Sequence, residues 1–275
     1  MGKCKYCGQD AGWFSDSHSE CEQKFNAAKM QIESVLRDCF YQKTDFYLKD
    51  AQVKQLALNA KVSQNALQQT FLNVFDDAVE SYLNDGSIDD SEKRTIARFI
   101  QYSGMSQAAL NANKSLEKVL QAEVIQDILN GRKPQPKITI QGDFPFLLGK
   151  SETMLWLFRN VTMYEQKVKR EYVGRSRGMS FRIMKGVYYR TGGFKGHPIE
   201  STYMHKVGVG SVCMTDKHIY FSSPEKSVKI PYSKIISLDP YSDGIGLQKD
   251  GASSKPIIFQ GVNSWFCQNV ISNLI

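Results

Sequence analysis

No apolar run in this chain approaches the roughly 20 residues needed to cross a bilayer. The first residues, MGKCKYCG, have no hydrophobic core, so no secretory signal is expected. Gly2 is not followed by the serine or threonine that a myristoylation motif requires, so lipidation is not expected either. These absences together predict a cytoplasmic protein, in a compartment that keeps thiols reduced. Histidine is scarce, at four residues, and no familiar catalytic pattern surrounds it. There is no phosphate-binding loop, no GxSxG elbow, no HExxH and no DxxG nucleotide signature. His197 lies in the glycine-rich stretch GGFKGHP beside Lys195 and reads as a loop histidine, while His205 and His218 alternate with strand residues. Cys39, Cys213 and Cys267 sit in apolar surroundings and read as buried small hydrophobes. The expectation is a protein that is not an enzyme.

What is present begins at once. CKYCGQDAGWFSDSHSEC places Cys4 and Cys7 two residues apart, then ten residues, then His18 and Cys21 two apart. Paired ligands at both ends of a short loop suit a tetrahedral zinc ion held by three thiolates and one imidazole. Gly8 lets the chain turn so that backbone amides face the sulfurs. Ser15 or Ser17 can cap a helix whose first turn carries His18 and Cys21. Trp13 and Phe14 are expected to pack over the metal loop. With four protein ligands the shell is closed, so the metal is expected to be structural. A knuckle followed by a helix bearing the last two ligands resembles a treble-clef zinc finger or a short zinc ribbon, over residues 4–21.

From Glu22 to about Gly131 the periodicity is helical. Phe25, Ala28, Ile32, Val35, Leu36 and Phe40 fall on one stripe. Further helices are predicted at 49–60, 63–84, 89–102 and 106–130, with Asp50, Ser63, Asp89 and Ser106 at or near the N-caps. VSQNAL (62–67) and MSQAAL (105–110) are near copies, read as one capping solution used twice. LALNAKVSQNAL (56–67) fits a helix-turn-helix pattern, but Lys61 replaces the usual glycine, and the next helix carries Asp76, Asp77 and Glu80 where phosphates would want cations. NDGSIDDSE (84–92) spaces its carboxylates wrongly for a calcium loop, because Ser81 and Leu83 would stand at positions one and three. It reads as a tight link between helices. Asp-Gly-Ser-Ile-Asp-Asp-Ser-Glu (85–92), followed by an amphipathic helix and Gly-Met-Ser-x3-Leu (104–110), resembles the TerB-like helical domains of bacterial tellurite-resistance and related stress proteins. That resemblance implies an interaction module.

GRKPQPK (131–137) is the clearest linker. Beyond it come aromatic and β-branched residues in short alternating runs. Strands are predicted at 153–159, 163–173, 179–190, 201–205, 208–214, 217–222, 226–230, 234–239, 244–248 and 256–260. A closing helix should turn Trp265, Phe266, Val270 and Leu274 to a core. The order Thr-Asp-Lys-x-Ile-Tyr-Phe (215–221), then Ile-Pro-Tyr-x-Lys-Ile (230–235), then an amphipathic helix, is similar to bacterial PH-like and GRAM-like domains. The resemblance covers about residues 145–275. It implies a bent antiparallel sheet capped by the last helix, and a surface for phosphoinositides, other anionic lipids or peptides.

Charge is unevenly spread. Between Gln166 and Ile199 nine Lys or Arg face one acid, Glu171, so this segment carries the positive balance of a +7 chain. KVKREYVGRSRGMSFRIMKG (167–186) reads as a basic hairpin with Arg175 and Arg177 at its tip and Lys169 and Arg182 on adjoining strands, a candidate grip for phosphates.

The expected architecture is therefore α+β and multidomain: a zinc finger at 1–24, a TerB-like helical domain at 25–131, a linker at 132–144 and a PH/GRAM-like domain at 145–275. The expected function is a non-enzymatic, zinc-containing adaptor that recognises a protein partner through its PH-like domain. The resemblances suggest bacterial stress response or anti-phage defence as the setting. Two other classes stand beside it: nucleic-acid binding through the finger and basic hairpin, and peripheral binding to anionic lipids.

Overall fold

The structure, a computed structural model, describes residues 2–135, 137–140, 142–176, 180–184, 187–190, 194–251 and 254–275, with backbone alone for Asp85 and within 170–200. The chain is α+β and forms two compact units, Met1–Lys133 and Pro134–Ile275.

The first unit opens with two short paired strands, β1 (Gly2–Lys3) and β2 (Asp10–Gly12). Helices follow: α1 (Ser19–Tyr41), α2 (Asp50–Asn59), α3 (Gln64–Tyr82), α4 (Asp90–Ser103), α5 (Gln107–Leu110) and α6 (Ser115–Leu129). The stripe on α1 buries Ala28, Ile32, Leu36 and Phe40, together with Cys39. Phe40 meets Phe46 and Phe99, each at 4.9 Å, and Phe75 stacks on Phe99 at 5.9 Å. Such aromatic pairs add directional attraction to the area they bury, which fixes how the helices meet.

Ser63 and Ser106 start their helices identically, accepting from the amides of Ala66 and Ala109 at 3.3 and 3.2 Å. After that the two copies diverge. The predicted helix 106–130 is interrupted, because Lys114 takes a left-handed φ of 62° and the Asn111 side chain accepts the Glu117 amide at 2.9 Å. An asparagine oxygen competes with the helix for that donor, so the chain stops and restarts.

The second unit is a seven-stranded antiparallel sheet closed by a helix. Its strands are β3 (Met154–Ser176), β6 (Phe194–Thr215), β7 (His218–Ser222), β8 (Ser227–Pro231), β9 (Ile235–Tyr241), β10 (Gly244–Lys249) and β11 (Ile257–Gln260), in the order β8-β7-β6-β3-β11-β10-β9. A separate two-stranded ribbon joins β4 (Ser180–Met184) to β5 (Val187–Arg190), so the strand predicted at 179–190 is two strands. Several predicted strands merge: 153–159 and 163–173 are parts of β3, while 201–205 and 208–214 are parts of β6. Each long strand passes its irregularities as bulges, including one between Phe158 and Val161, where Asn160 has a φ of 56°.

The Thr-Asp-Lys and Ile-Pro-Tyr segments are bound together. The buried Tyr232 hydroxyl donates to the Thr215 carbonyl at 2.7 Å, and Thr215 Oγ1 accepts the amides of Lys217 and His218 at 3.1 and 2.9 Å. The closing helix α7 (Ser264–Leu274) is capped by Asn263 and buries Phe266, Cys267, Val270 and Ile271. Trp265 and Leu274, expected in the core, are only half-buried, because the buried face follows the i, i+1, i+4, i+5 positions of Phe266. Cys39, Cys213 and Cys267 are all buried free thiols.

Candidate functional site

Cys4, Cys7, His18 and Cys21 converge, with all four ligand atoms within 4.8 Å of one another. His18 Nδ1 lies 3.4 Å from Cys7 Sγ and 3.8 Å from Cys21 Sγ. The edge of a tetrahedron built on Zn–S bonds of about 2.3 Å is about 3.8 Å, so the spacing fits a four-coordinate ion. The other ring nitrogen, Nε2, sits 2.9 Å from the Asp10 carbonyl oxygen. A carbonyl can only accept, so Nε2 carries the proton and Nδ1 turns its lone pair to the sulfurs. This group can hold a metal ion, and its donors are compatible with zinc.

The local backbone explains the convergence. Gly8 turns at φ 76° and its amide donates to the Cys4 carbonyl at 2.8 Å, closing the knuckle. Burial opposes a thiolate at Cys4, but amides of Cys7, His18 and Tyr6 outweigh it and bring its pKa down to about 6. Burial, reinforced by the neighbouring Cys7 and Cys4, pushes Cys21 up to about 11. A bound metal reverses that preference, because coordination deprotonates a thiol outright. His18 is itself the N-cap of α1 and makes no side-chain cap, so neither serine caps this helix. Ser15 Oγ instead donates to the Ser17 carbonyl, and Ser17 Oγ to Glu22.

Trp13 and Phe14 do not cover the loop. They are 78% and 103% exposed. Tyr6 packs on Phe25 at 4.7 Å beneath the knuckle, so the apolar support comes from the first loop and α1. Gly2 comes so close to Ser15 that an added Cβ would lie 2.7 Å from its carbonyl oxygen. Gly12, just before the aromatic pair, turns at φ 89°.

The acidic turn at 85–92 behaves as a link. Gly86 ends a short turn at φ 81° and Asp89 caps α4 with a complete capping box to Glu92. Lys43 reaches in, with Nζ 3.2 Å from Asp89, 2.5 Å from Ser91 and 3.6 Å from Glu92. The Ser91 hydroxyl, the Glu92 amide and Lys43 outweigh desolvation and hold Asp89 well below the usual carboxylate range. At 56–67 the backbone does make a helix, turn and helix, with Lys61 at φ 52°. Two of the following helix's acids are engaged internally, Asp77 with Arg37 and Asp76 with Asn113.

Three of the four expected anion-binding residues fall on described strands. Strand β3 pairs with β6 and not with the adjoining segment: Lys169 stands opposite Ser201 and Arg175 opposite Lys195. Arg182 pairs with Tyr188 in the separate β4–β5 ribbon. Arg177 lies outside the described residues. His197 is a strand position opposite Val173, not a loop residue. The strand pairing thus differs from the expected hairpin, because β3 takes its partner from β6 and not from the segment that follows it.

Two features of the second unit were not read from the sequence. Glu152, almost fully buried, receives Tyr220 Oη at 2.6 Å, the Gly149 amide at 2.6 Å and Thr215 Oγ1 at 3.2 Å, and pairs with His218 Nδ1 and with Lys229 at 3.6 Å. Burial would raise its pKa, but the hydrogen bonds from Tyr220, Gly149 and His218 prevail and bring it to about 2. Beside this cluster lies an open cleft of about 630 Å³. Lys226, Lys229, Lys234, Lys249 and Lys255 line it, against only Glu165 and Asp250. Lys226 pairs with Glu165 at 2.5 Å, whereas among the described residues no carboxylate pairs with Lys234, Lys249 or Lys255. No signal of period or motif joins residues 165, 226–234 and 249–255. Only the fold does.

Among the described residues no helix is long and apolar enough to cross a membrane. No family model matches the sequence, no curated protein matches it, and no solved structure matches its fold.

Proposed function

We propose that this chain is a zinc-containing, non-enzymatic interaction protein of the cytoplasm, whose second unit binds a phosphate-bearing ligand. The observation that carries this reading is the cleft, where five lysines meet two carboxylates. A compact dianion answers that imbalance through charge-assisted hydrogen bonds. The phosphate can be borne by a modified protein partner or by a lipid headgroup.

The seven antiparallel strands and closing helix support a PH/GRAM-like identity for residues 145–275, and the helices around the capped acidic turn support a TerB-like one for 25–131. In this reading the metal organises and does not react, because three thiolates and an imidazole leave no position for a substrate. The setting suggested by these likenesses is bacterial stress response or defence. A protein partner held by the first unit is also favoured by the outward pair Trp13 and Phe14, which is too exposed to serve the core.

The test is binding to phosphatidylcholine vesicles with and without phosphatidylinositol 4-phosphate, and to a phosphoserine peptide with its unmodified form as control. Binding is expected only to a phosphorylated probe, with affinity falling roughly tenfold or more in the double variant Lys234→Glu/Lys249→Glu. Equal binding to phosphorylated and plain probes, or unchanged binding in that variant, would sink the proposal.

A further inference from the structure

Strands β3 and β6 stay paired far beyond the sheet that contains them. The last β3 residue paired to β11 is Glu165, and β7 joins β6 only from Ser211 onward. From Gln166 opposite Met204 to Ser176 opposite Phe194, the two strands have only each other among the described strands. At about 3.3 Å per residue, these eleven pairs make an arm roughly 35 Å long. A two-stranded ribbon is marginal on its own in water. Something other than a packed core gives this one its use.

Its charge says what. Residues 166–206 hold ten Lys or Arg and two acids, a balance of +8 in a chain of +7, so the rest of the molecule is close to neutral. Five of those cations, Lys167, Lys169, Arg170, Arg175 and Lys195, stand on the arm itself, against Glu171 and Glu200. They are spread along the length of the ribbon. At its base Ser201, Thr202 and Tyr203 are exposed, opposite Lys169, Val168 and Lys167. Hydroxyls beside lysines are the usual donors to phosphate oxygens. Cations spaced along a ribbon match the repeated phosphates of a linear polyanion. The major groove of B-form DNA is about 12 Å wide and admits a two-stranded ribbon.

We propose that the two-stranded arm of residues 166–176 and 194–204 binds duplex DNA, taking its phosphate backbone along the length of the ribbon. This goes beyond the cleft and does not depend on it.

The experiment is fluorescence anisotropy of the full chain with a labelled DNA duplex of arbitrary sequence, at rising salt. Engagement of about four phosphates gives a slope near −3.6 in log affinity against log salt, so affinity falls on the order of 100-fold between about 50 and 200 mM. Lys167→Glu/Lys169→Glu should weaken binding at least about tenfold. The neutral pair Lys167→Gln/Lys169→Gln should lower the slope by nearly two. Lys234→Glu/Lys249→Glu should bind the duplex as the unaltered chain does, which separates the arm from the cleft. Circular dichroism and metal content check that each variant is folded. Absence of binding at low salt, a slope near zero, arm variants that bind the duplex unchanged, or arm variants that lose anionic-vesicle binding while keeping the duplex would each overturn the proposal.

Discussion

Two turns of the first unit gather side chains of the kind that hold metals, and they end differently. At residues 4–21 the ligand atoms face one another and no cation of the protein lies among them. In the turn at 85–92 the Asp89 and Glu92 carboxylates face backbone amides of the helix start and the ammonium of Lys43. Spacing already distinguishes these cases, and the contacts say why. What separates them is whether each donor already has a proton or a positive charge to bind. In the knuckle the protein engages the outer ring nitrogen of His18 and gives the Cys4 sulfur amide donors, while the inner nitrogen and the three sulfurs face one another at the spacing of a tetrahedral shell. In the acidic turn Asp89 is satisfied three times over.

The strongest way to break this comparison is to remove the metal. Chelation, or Cys7→Ser, should take bound zinc from about one equivalent towards none and release the 2–21 loop. A loss of even about 3 kcal/mol lowers the melting temperature by roughly 10 °C. Elemental analysis and thermal melts check it, and metal-free protein that melts as the intact protein does would refute a structural metal.

A smaller effect is expected at the other turn. Asp89→Ala removes the cap on α4 and should cost about 1–2 kcal/mol without changing metal content. Millimolar calcium should leave the melting temperature of the unaltered chain where it was, and a rise would show that the turn binds ions after all.

Glu152 supplies the mildest test, since it is a second saturated carboxylate in a different unit. Its folded pKa is depressed, so its stabilisation is complete above the ordinary carboxylate value of about 4.3 and fades as pH falls towards about 2. Glu152→Gln should therefore melt below the unaltered chain at neutral pH, with the gap narrowing as pH falls through that window. A gap that holds constant would show that its charge contributes nothing.

The candidate metal group was legible because all four residues lie within 18 positions and their spacing expresses one geometry. Helix starts were legible for the same reason, as Ser63 and Ser106 act on amides three residues away. The break at Asn111 was missed although its cause is local, since an asparagine ahead of a helix start is a cap signal in its own right. Trp13 and Phe14 misled because an apolar residue near a metal was taken for its cover, when the packing partner of the knuckle is Phe25. The arm and the cleft were beyond reach. Lys169 and Ser201 become neighbours only through a register set by the whole of β3 and β6, and the cleft lysines come from β8, β10 and the turns beside them, which the sheet order keeps apart.

The outward tryptophan carries one more consequence. Of the three tryptophans, Trp13 alone belongs to the first unit, where it stands in solvent within the metal loop, while Trp156 is buried against Phe266 in the second. The chain thus contains its own pair of optical reporters. A solvent-exposed indole emits further to the red than a buried one, so iodide quenching of the red edge follows the metal loop and the blue edge follows the β-sheet, without any label.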